Sequence, residues 1–257
     1  MQGEAATDRV VWDLTGREAL TFMQGLVSND LRGLERGPGL VWAALLTPQG
    51  KYLADFFVGH LPGGRLLIDI KDSLAEATLK RLSLYRLRAD VQIAPSDLKV
   101  QRGLGPVPEG AFADPRHPAL GWRGYGAEGS PPMIDWDAIR VAHVIPESGI
   151  ELTPESYLLE TGFERLHGVD FRKGCYVGQE VTARMKHRTE LRKGLVRVRI
   201  DGAAPIGTEI LTADGKAAGT LFTQSGGRAI AFLRLDRAEG ELQAGEARLV
   251  LDPDQPG

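Results

Sequence analysis

The chain has a single cysteine, Cys175, set in the run Lys173-Gly174-Cys175-Tyr176-Val177-Gly178-Gln179-Glu180. A lone cysteine forms no internal disulfide, so its chemistry is that of a free thiol. It is either a reactive or ligand-touching group or a small buried hydrophobe in a tight turn. Two features favour the thiolate. Lys173 stands two residues before the sulfur, and Gln179 to Lys186 contains good helix formers, which puts the thiol near a helix start. Gly174 and Gly178 remove side chains where the backbone must bend or approach something closely.

Asp55 is the second candidate. Lys51 to Gly59 reads as a strand, so Leu53, Asp55 and Phe57 share one face while Tyr52, Ala54, Phe56 and Val58 share the other. Both faces are rich in apolar groups, and an acid there needs a partner or a ligand. A buried aspartate satisfied by backbone amides or an arginine is the alternative. The third feature is charge. Residues 165–199 hold ten Lys/Arg and three acids in a chain of net charge −3. That excess suits an anionic ligand or a docking face for RNA or an acidic protein. Alternation turns Arg197 and Arg199 away from the apolar side, as on a solvated surface, whereas Arg184 and Lys186 follow the cysteine motif directly. The five histidines show no zinc-ligand spacing with each other or with Cys175, so no metal site is expected. One cysteine cannot hold an iron–sulfur cluster alone, since such clusters generally take four protein ligands.

The elements that must position these groups read as α+β. Thr15-x-x-Glu18 and Ser73-x-x-Glu76 have the form of capping boxes opening two helices. Leu40 to Leu46, Lys51 to Gly59, Leu66 to Ile70 and Ala89 to Ala94 read as strands, with turns at Thr47-Pro48-Gln49-Gly50 and Pro62-Gly63-Gly64. Residues 103–132 contain seven Gly and six Pro, the composition of a surface crossover with at most one short strand. Ile134 to Ala142 reads as helix. After Arg188 short strands follow one another, with Asp214-Gly215 as a hairpin signal, which points to a small β-barrel. The expected organisation is an α+β region over 1–188, made of two subdomains, and a barrel over 189–257. Composition excludes extremes: 42% hydrophobic and 25% charged residues suit a globular domain. No apolar run approaches a membrane span, and Met1 to Arg9 lacks the apolar core of a signal peptide. With one cysteine and no global basic field, a cytoplasmic protein without direct nucleic-acid or membrane partners is expected.

The octapeptide with Arg184 resembles the signature of the YgfZ family, relatives of the glycine-cleavage T-protein. Similar stretches run over roughly residues 10–235: Gly16 to Gly25 with Asn29-Asp30, Leu45 to Lys51 with Asp55-Phe56, Tyr85 to Val91, and Asp114-Pro115-Arg116. The resemblance implies a T-protein-like antiparallel α+β folate-binding region followed by a C-terminal β-barrel. It also implies tetrahydrofolate or a one-carbon derivative as cofactor. Its function would be to assist assembly or maintenance of iron–sulfur enzymes, including some that modify tRNA, with assembly factors or client enzymes as partners. Carried onto this chain, Cys175 would act as nucleophile or transient ligand, with Lys173 and Asp55 in the reaction. Asp55, Lys51, Tyr176, Gly178, Gln179, Glu180 and Arg184 would contact or position the cofactor. Two departures bear on a T-protein-type aminomethyl transfer. Ala54 replaces one of two adjacent acids, and Ala142, in Arg140-Val141-Ala142-His143, replaces a pterin-binding glutamate. His143 is a candidate substitute for that glutamate, or a structural histidine. A one-carbon transferase and a non-folate docking scaffold are the alternative functions.

Overall fold

Alternating apolar residues and closely spaced turns build the first half of the chain as a meander, seen in a computed structural model that describes residues 3–187 and 191–256. Two compact units divide the chain: residues 1–134 with 166–179, and residues 135–165 with 180–257. The first contains β1 (Glu4–Ala5), β2 (Arg9–Thr15), α1 (Ala19–Gln24), β3 (Gly39–Leu46), β4 (Tyr52–His60), β5 (Leu66–Lys71), α2 (Asp72–Arg86), β6 (Gln92–Pro95), β7 (Lys99–Gly103), β8 (Phe112–Ala113) and β9 (Trp122–Gly126). β3-β4-β5-β2-β6 form an antiparallel five-stranded sheet, and β1-β7-β9-β8 a four-stranded one. The pleat of β4 sends Ala54, Phe56 and Val58 into an apolar core with Ile68, Ile70, Met23 of α1 and Leu82 of α2. Asp55 and Phe57 point to the opposite face, where Phe57 pairs in register with Asp69. Ala6, Val11, Leu67, Val100 and Tyr125 join the two sheets across that face.

The face also buries charge. Asp69 has no solvent exposure and accepts hydrogen bonds from Arg9 Nε at 2.6 Å, Arg123 Nη2 at 2.7 Å and Tyr125 Oη at 3.0 Å. Asp114 binds Arg116 at 2.8 Å. The guanidiniums of Arg123, Arg116 and Arg9 lie 4.1, 5.0 and 5.5 Å from the centre of the Phe57 ring, whose π face attracts cations. Burial opposes ionisation of Asp69, but the charges of Arg123 and Arg9 outweigh it and hold the carboxyl down at about 2.

Three local expectations are corrected. The segment 103–132 is no surface crossover: it supplies β8 and β9, the buried Asp114 and Arg123, and the half-buried Arg116 and Tyr125. Gly103, Gly121 and Gly129 permit close packing. At Gly121, with φ +62°, a Cβ would stand 2.1 Å from the Gly103 carbonyl oxygen. Neither capping box forms. Glu18 instead accepts from the backbone amide of Asp90, and α2 begins at Asp72, whose own carboxylate accepts from Ser73 N.

The second unit contains α3 (Trp136–His143), most of α4 (Gln179–Lys186) and β10 (Lys193–Asp201), β11 (Glu209–Thr212), β12 (Ala217–Ser225), β13 (Arg228–Arg234), β14 (Leu242–Ala244) and β15 (Ala247–Leu251). The strands close as β10-β13-β12-β11-β14-β15 around Val198, Ile210, Leu221, Leu233 and Leu249. The expected boundary at residues 188 and 189 lies outside the described residues. Arg197 is not a solvated surface residue: it is buried and pairs with the fully buried Asp252 at 2.8 Å, which Arg199 and Arg228 approach at 3.5 and 3.4 Å. Among the described residues no helix is long and apolar enough to cross a membrane.

Removing the central carboxylate should leave Arg9 without its ion-pair partner and Arg123 with only Asp114, at 3.8 Å. Asp69→Asn is expected to destabilise the protein by about 3–5 kcal/mol at neutral pH. The folded pKa lies below the unfolded value of about 3.9, so this contribution is present above pH 4 and lost as pH falls toward 2. Urea unfolding of both proteins across that range checks this: the stability gap should narrow at the acid end.

Candidate functional site

Asp55 is 4% exposed, and both carboxylate oxygens are occupied. Trp42 Nε1 donates to Oδ2 at 2.8 Å and Tyr52 Oη donates to Oδ1 at 2.6 Å. All three side chains come from the β3–β4 hairpin, whose pairing sets Ala44 opposite Asp55. Two aromatic donors, read in the sequence only as apolar residues, hold the acid, and the Arg9 guanidinium lies within its field. Arg116 adds a cation 5.8 Å from the Trp42 ring. Ala54 belongs to the opposite, apolar face and is wholly buried there, as is Phe56. An acid at either neighbour of Asp55 would enter the hydrocarbon core. The strand therefore offers one carboxylate to this face, not a pair. Lys51 lies in the hairpin turn, where its amide donates to Thr47 Oγ1 at 3.1 Å.

The cysteine loop is anchored to the same hairpin. Gly178, at φ +83°, sits where a Cβ would stand 2.6 Å from the Thr47 carbonyl oxygen, against the turn between β3 and β4. Ser28 donates to the Gly168 carbonyl at 2.6 Å and accepts from Ala44 N at 2.9 Å. Asn29 Nδ2 donates to the carbonyls of Trp42 and His167 at 2.8 and 2.7 Å. Neither Ser28 nor Asn29 was singled out from its residue type, although Asn29-Asp30 lies in a stretch of family resemblance. The structure thus brings the hairpin of Asp55 and the loop of Cys175 together within one unit.

Within the loop, burial alternates sharply. Lys173 is 3% exposed and Tyr176 is buried, whereas Gly174 and Cys175 between them are exposed. The Lys173 ammonium donates to the carbonyls of Gln24, at 2.7 Å, and Val27, and lies 4.8 Å from the Tyr176 ring centre. Gln24 and Val27 stand at and just beyond the end of α1, where carbonyls lack helical partners. Burial draws this ammonium down to about 8, against the favourable fields of Asp30 and Asp170. Its hydrogen bonds go to the end of α1, so the loop is pinned while the thiol is displayed. Cys175 precedes α4 by four residues, and Gln179, the first residue of α4, donates its amide to Tyr176 O at 3.3 Å.

The remaining candidates lie in the second unit. Glu180 and Arg184 pair with each other at 2.9 Å on an exposed face of α4, and Lys186 pairs with Glu164. Arg140 is buried against Glu151 at 2.8 Å and Thr223 Oγ1 at 2.7 Å. His143 ends α3; burial, then Arg197 and Arg165, lower its pKa. Part of the basic excess in residues 165–199 therefore faces carboxylates, some of them distant in sequence. No group of three or more His, Cys, Asp or Glu side chains suited to a metal occurs among the described residues.

Residues 192–256 match the family model of the CAF17 C-terminal β-barrel domain. Relatives include the mitochondrial iron–sulfur cluster assembly factor IBA57 of Mus musculus, 30% identical over 94% of this chain and 80% of its own length. The Homo sapiens protein of the same name is 30% identical over 91% of this chain and 78% of its length. The homologue from Mycosarcoma maydis is 31% identical over 73% of this chain but 54% of its own length, so the chain spans about half of that fungal relative. Among solved structures, the glycine cleavage system aminomethyltransferase T of Bartonella henselae superposes with a TM-score of 0.72 over 97% of this chain and 84% of that one, at 11% identity. The likeness is one of fold, and the α+β region with its C-terminal barrel is as expected. Two expectations change. The named relatives are IBA57 proteins, to which YgfZ is a related family. They are also mitochondrial, which overturns the cytoplasmic expectation; a lone cysteine suits any reducing compartment and does not single out the cytoplasm.

Lys173→Met should cost about 1–3 kcal/mol by stripping a buried donor from two carbonyls. Cys175 should nevertheless react with Ellman's reagent in both native proteins, because its exposure comes from the backbone path. Denaturant titration and a native thiol assay check the two parts separately.

Proposed function

Because the chain belongs to the IBA57 family of iron–sulfur cluster assembly factors, we propose that it acts in the assembly or maintenance of cluster-containing enzymes, with Cys175 as its working group. The observation that carries this reading is the exposed thiol on a loop whose neighbours Lys173 and Tyr176 are buried. A nucleophile or transient cluster ligand must meet a second macromolecule, and this loop presents its sulfur between two buried side chains, Lys173 and Tyr176. The cluster is cargo in this reading. One thiol supplies one of about four ligands, so the others come from a partner protein or small thiols. Clients that modify tRNA are one class of recipient.

Reduced folate is the proposed cofactor, and Asp55 is the residue that would accept its N–H groups. Trp42 and Tyr52 fix the carboxylate, and the aromatic and guanidinium groups of Trp42, Phe57 and Arg116 suit a flat, partly anionic molecule. Bound tetrahydrofolate would supply a one-carbon carrier. The orientation of Ala54 toward the core disfavours aminomethyl transfer by a T-protein-like acid pair.

Two experiments separate the parts. In cells lacking their own IBA57, the wild-type chain should restore client-enzyme activity and Cys175→Ser should restore little, although both fold alike. Full rescue by Cys175→Ser would remove the thiol from the function. Tetrahydrofolate should raise the melting temperature by mass action, by the equivalent of about 2.7 kcal/mol at a hundredfold excess over Kd. Asp55→Asn should shrink that shift relative to its own ligand-free baseline. A wild-type protein with no shift at saturating folate rules out the cofactor while leaving the thiol reading intact.

A further inference from the structure

The outer end of α2 carries an apolar and basic surface that neither Cys175 nor Asp55 uses. Leu84 is 66% exposed and Leu87 is 88% exposed. At 100° per residue Leu84 lies opposite the wholly buried Leu82, flanked by Lys80 on one side and Arg81 on the other. Arg86 and Arg88 follow; all four cations are exposed, and none forms an ion pair among the described residues. From Lys80 to Arg88 the chain has four cations and no acid. Favourable interaction with the helix dipole accounts for cations in the last turn, which covers Arg86, but Lys80 and Arg81 lie before it. Leu87 closes the helix at φ +44° and ψ −106°, a conformation that suits glycine and strains a leucine. A large apolar side chain thus stands in solvent where a smaller residue would relieve the backbone.

From this surface we infer that the α2 end is a docking site for an acidic amphipathic helix of a partner protein. Two leucines three residues apart, about one helical turn, would take apolar residues at i and i+3 or i+4 from the partner, and the four cations would meet flanking Asp and Glu. The patch has no aromatic side chain on which a nucleic-acid base could stack. The other apolar residues of α2, Leu74, Leu79 and Tyr85, pack on the sheet core with Leu82. Only two leucines therefore remain for a bilayer, too little apolar face for an interfacial helix. The inference is independent of the roles given to Cys175 and Asp55.

The test uses the full chain and a fluorescein-labelled designed helical peptide with leucines on one stripe and glutamates beside it. Fluorescence anisotropy at low salt should show saturable binding, weakened at high salt. Leu84→Ser with Leu87→Ser, and separately Arg81→Glu with Arg88→Glu, should each weaken binding by about tenfold or more while leaving the melting temperature unchanged or, at position 87, no lower. Protection from hydrogen exchange on peptide binding should fall on residues 77–91. Undiminished binding by either variant, absence of saturable binding, or equal binding of a lysine-for-glutamate peptide overturns the proposal. So does sedimentation with phosphatidylserine-containing vesicles that both variants abolish, if the peptide does not bind.

Discussion

A carboxylate sealed between two sheets constrains the first unit. Asp69 is cut off from water, so its charge must be answered by groups that also lie inside. Arg9 comes from the strand beside it, and Arg123 and Tyr125 come from the opposing sheet. The sheets are thereby fixed in register and not merely pressed together by apolar contact. A slipped strand would strand a guanidinium without its partner, whereas a slipped leucine would find another hydrocarbon neighbour. The three arginines around Phe57 extend the same lock toward Trp42, and through Trp42 to Asp55.

The site follows from that order. Asp55 owes its position to a strand whose two faces have opposite characters, one a dry core and the other an ionic seam. Its two aromatic donors come from the same hairpin, so the carboxylate is set before any ligand arrives. The cysteine loop is tied to this hairpin by a glycine that touches the turn, by Ser28 and Asn29, and by a lysine that reaches the end of α1. A thiol that must present itself to another macromolecule benefits from such anchoring, since little conformational freedom is then lost on binding.

Charge is used differently in the second unit. Asp252, brought back by the chain after the last barrel strand, gathers Arg197, Arg199 and Arg228. Five of the ten cations in residues 165–199 stand against carboxylates, so the segment is less basic in three dimensions than in one. By contrast, Lys80, Arg81, Arg86 and Arg88 form no ion pair among the described residues, and no acid lies between residues 80 and 88.

Much of the architecture was legible in the residues. The β3–β4 hairpin, its turn at Thr47 to Gly50, α3 and the strands of the barrel follow from periodicity and turn chemistry, which act over a few neighbours. The octapeptide marked a loop that the fold ties to the hairpin of Asp55, and a lone cysteine supplies too few ligands for a self-sufficient cluster site. Residue types could not tell where Lys173 points, because its acceptor at Val27 is 146 positions away and is a backbone carbonyl, present at every residue. The same holds for Arg197 and Asp252, 55 positions apart, and for Asp69 and Arg123, 54 apart. The glycine- and proline-rich stretch 103–132 read as surface because those residues break helices; in the fold they let a sheet close over buried ions. Local pattern set the elements, and long-range packing chose which polar groups meet, since burial makes each of them require a partner that no short window of sequence contains.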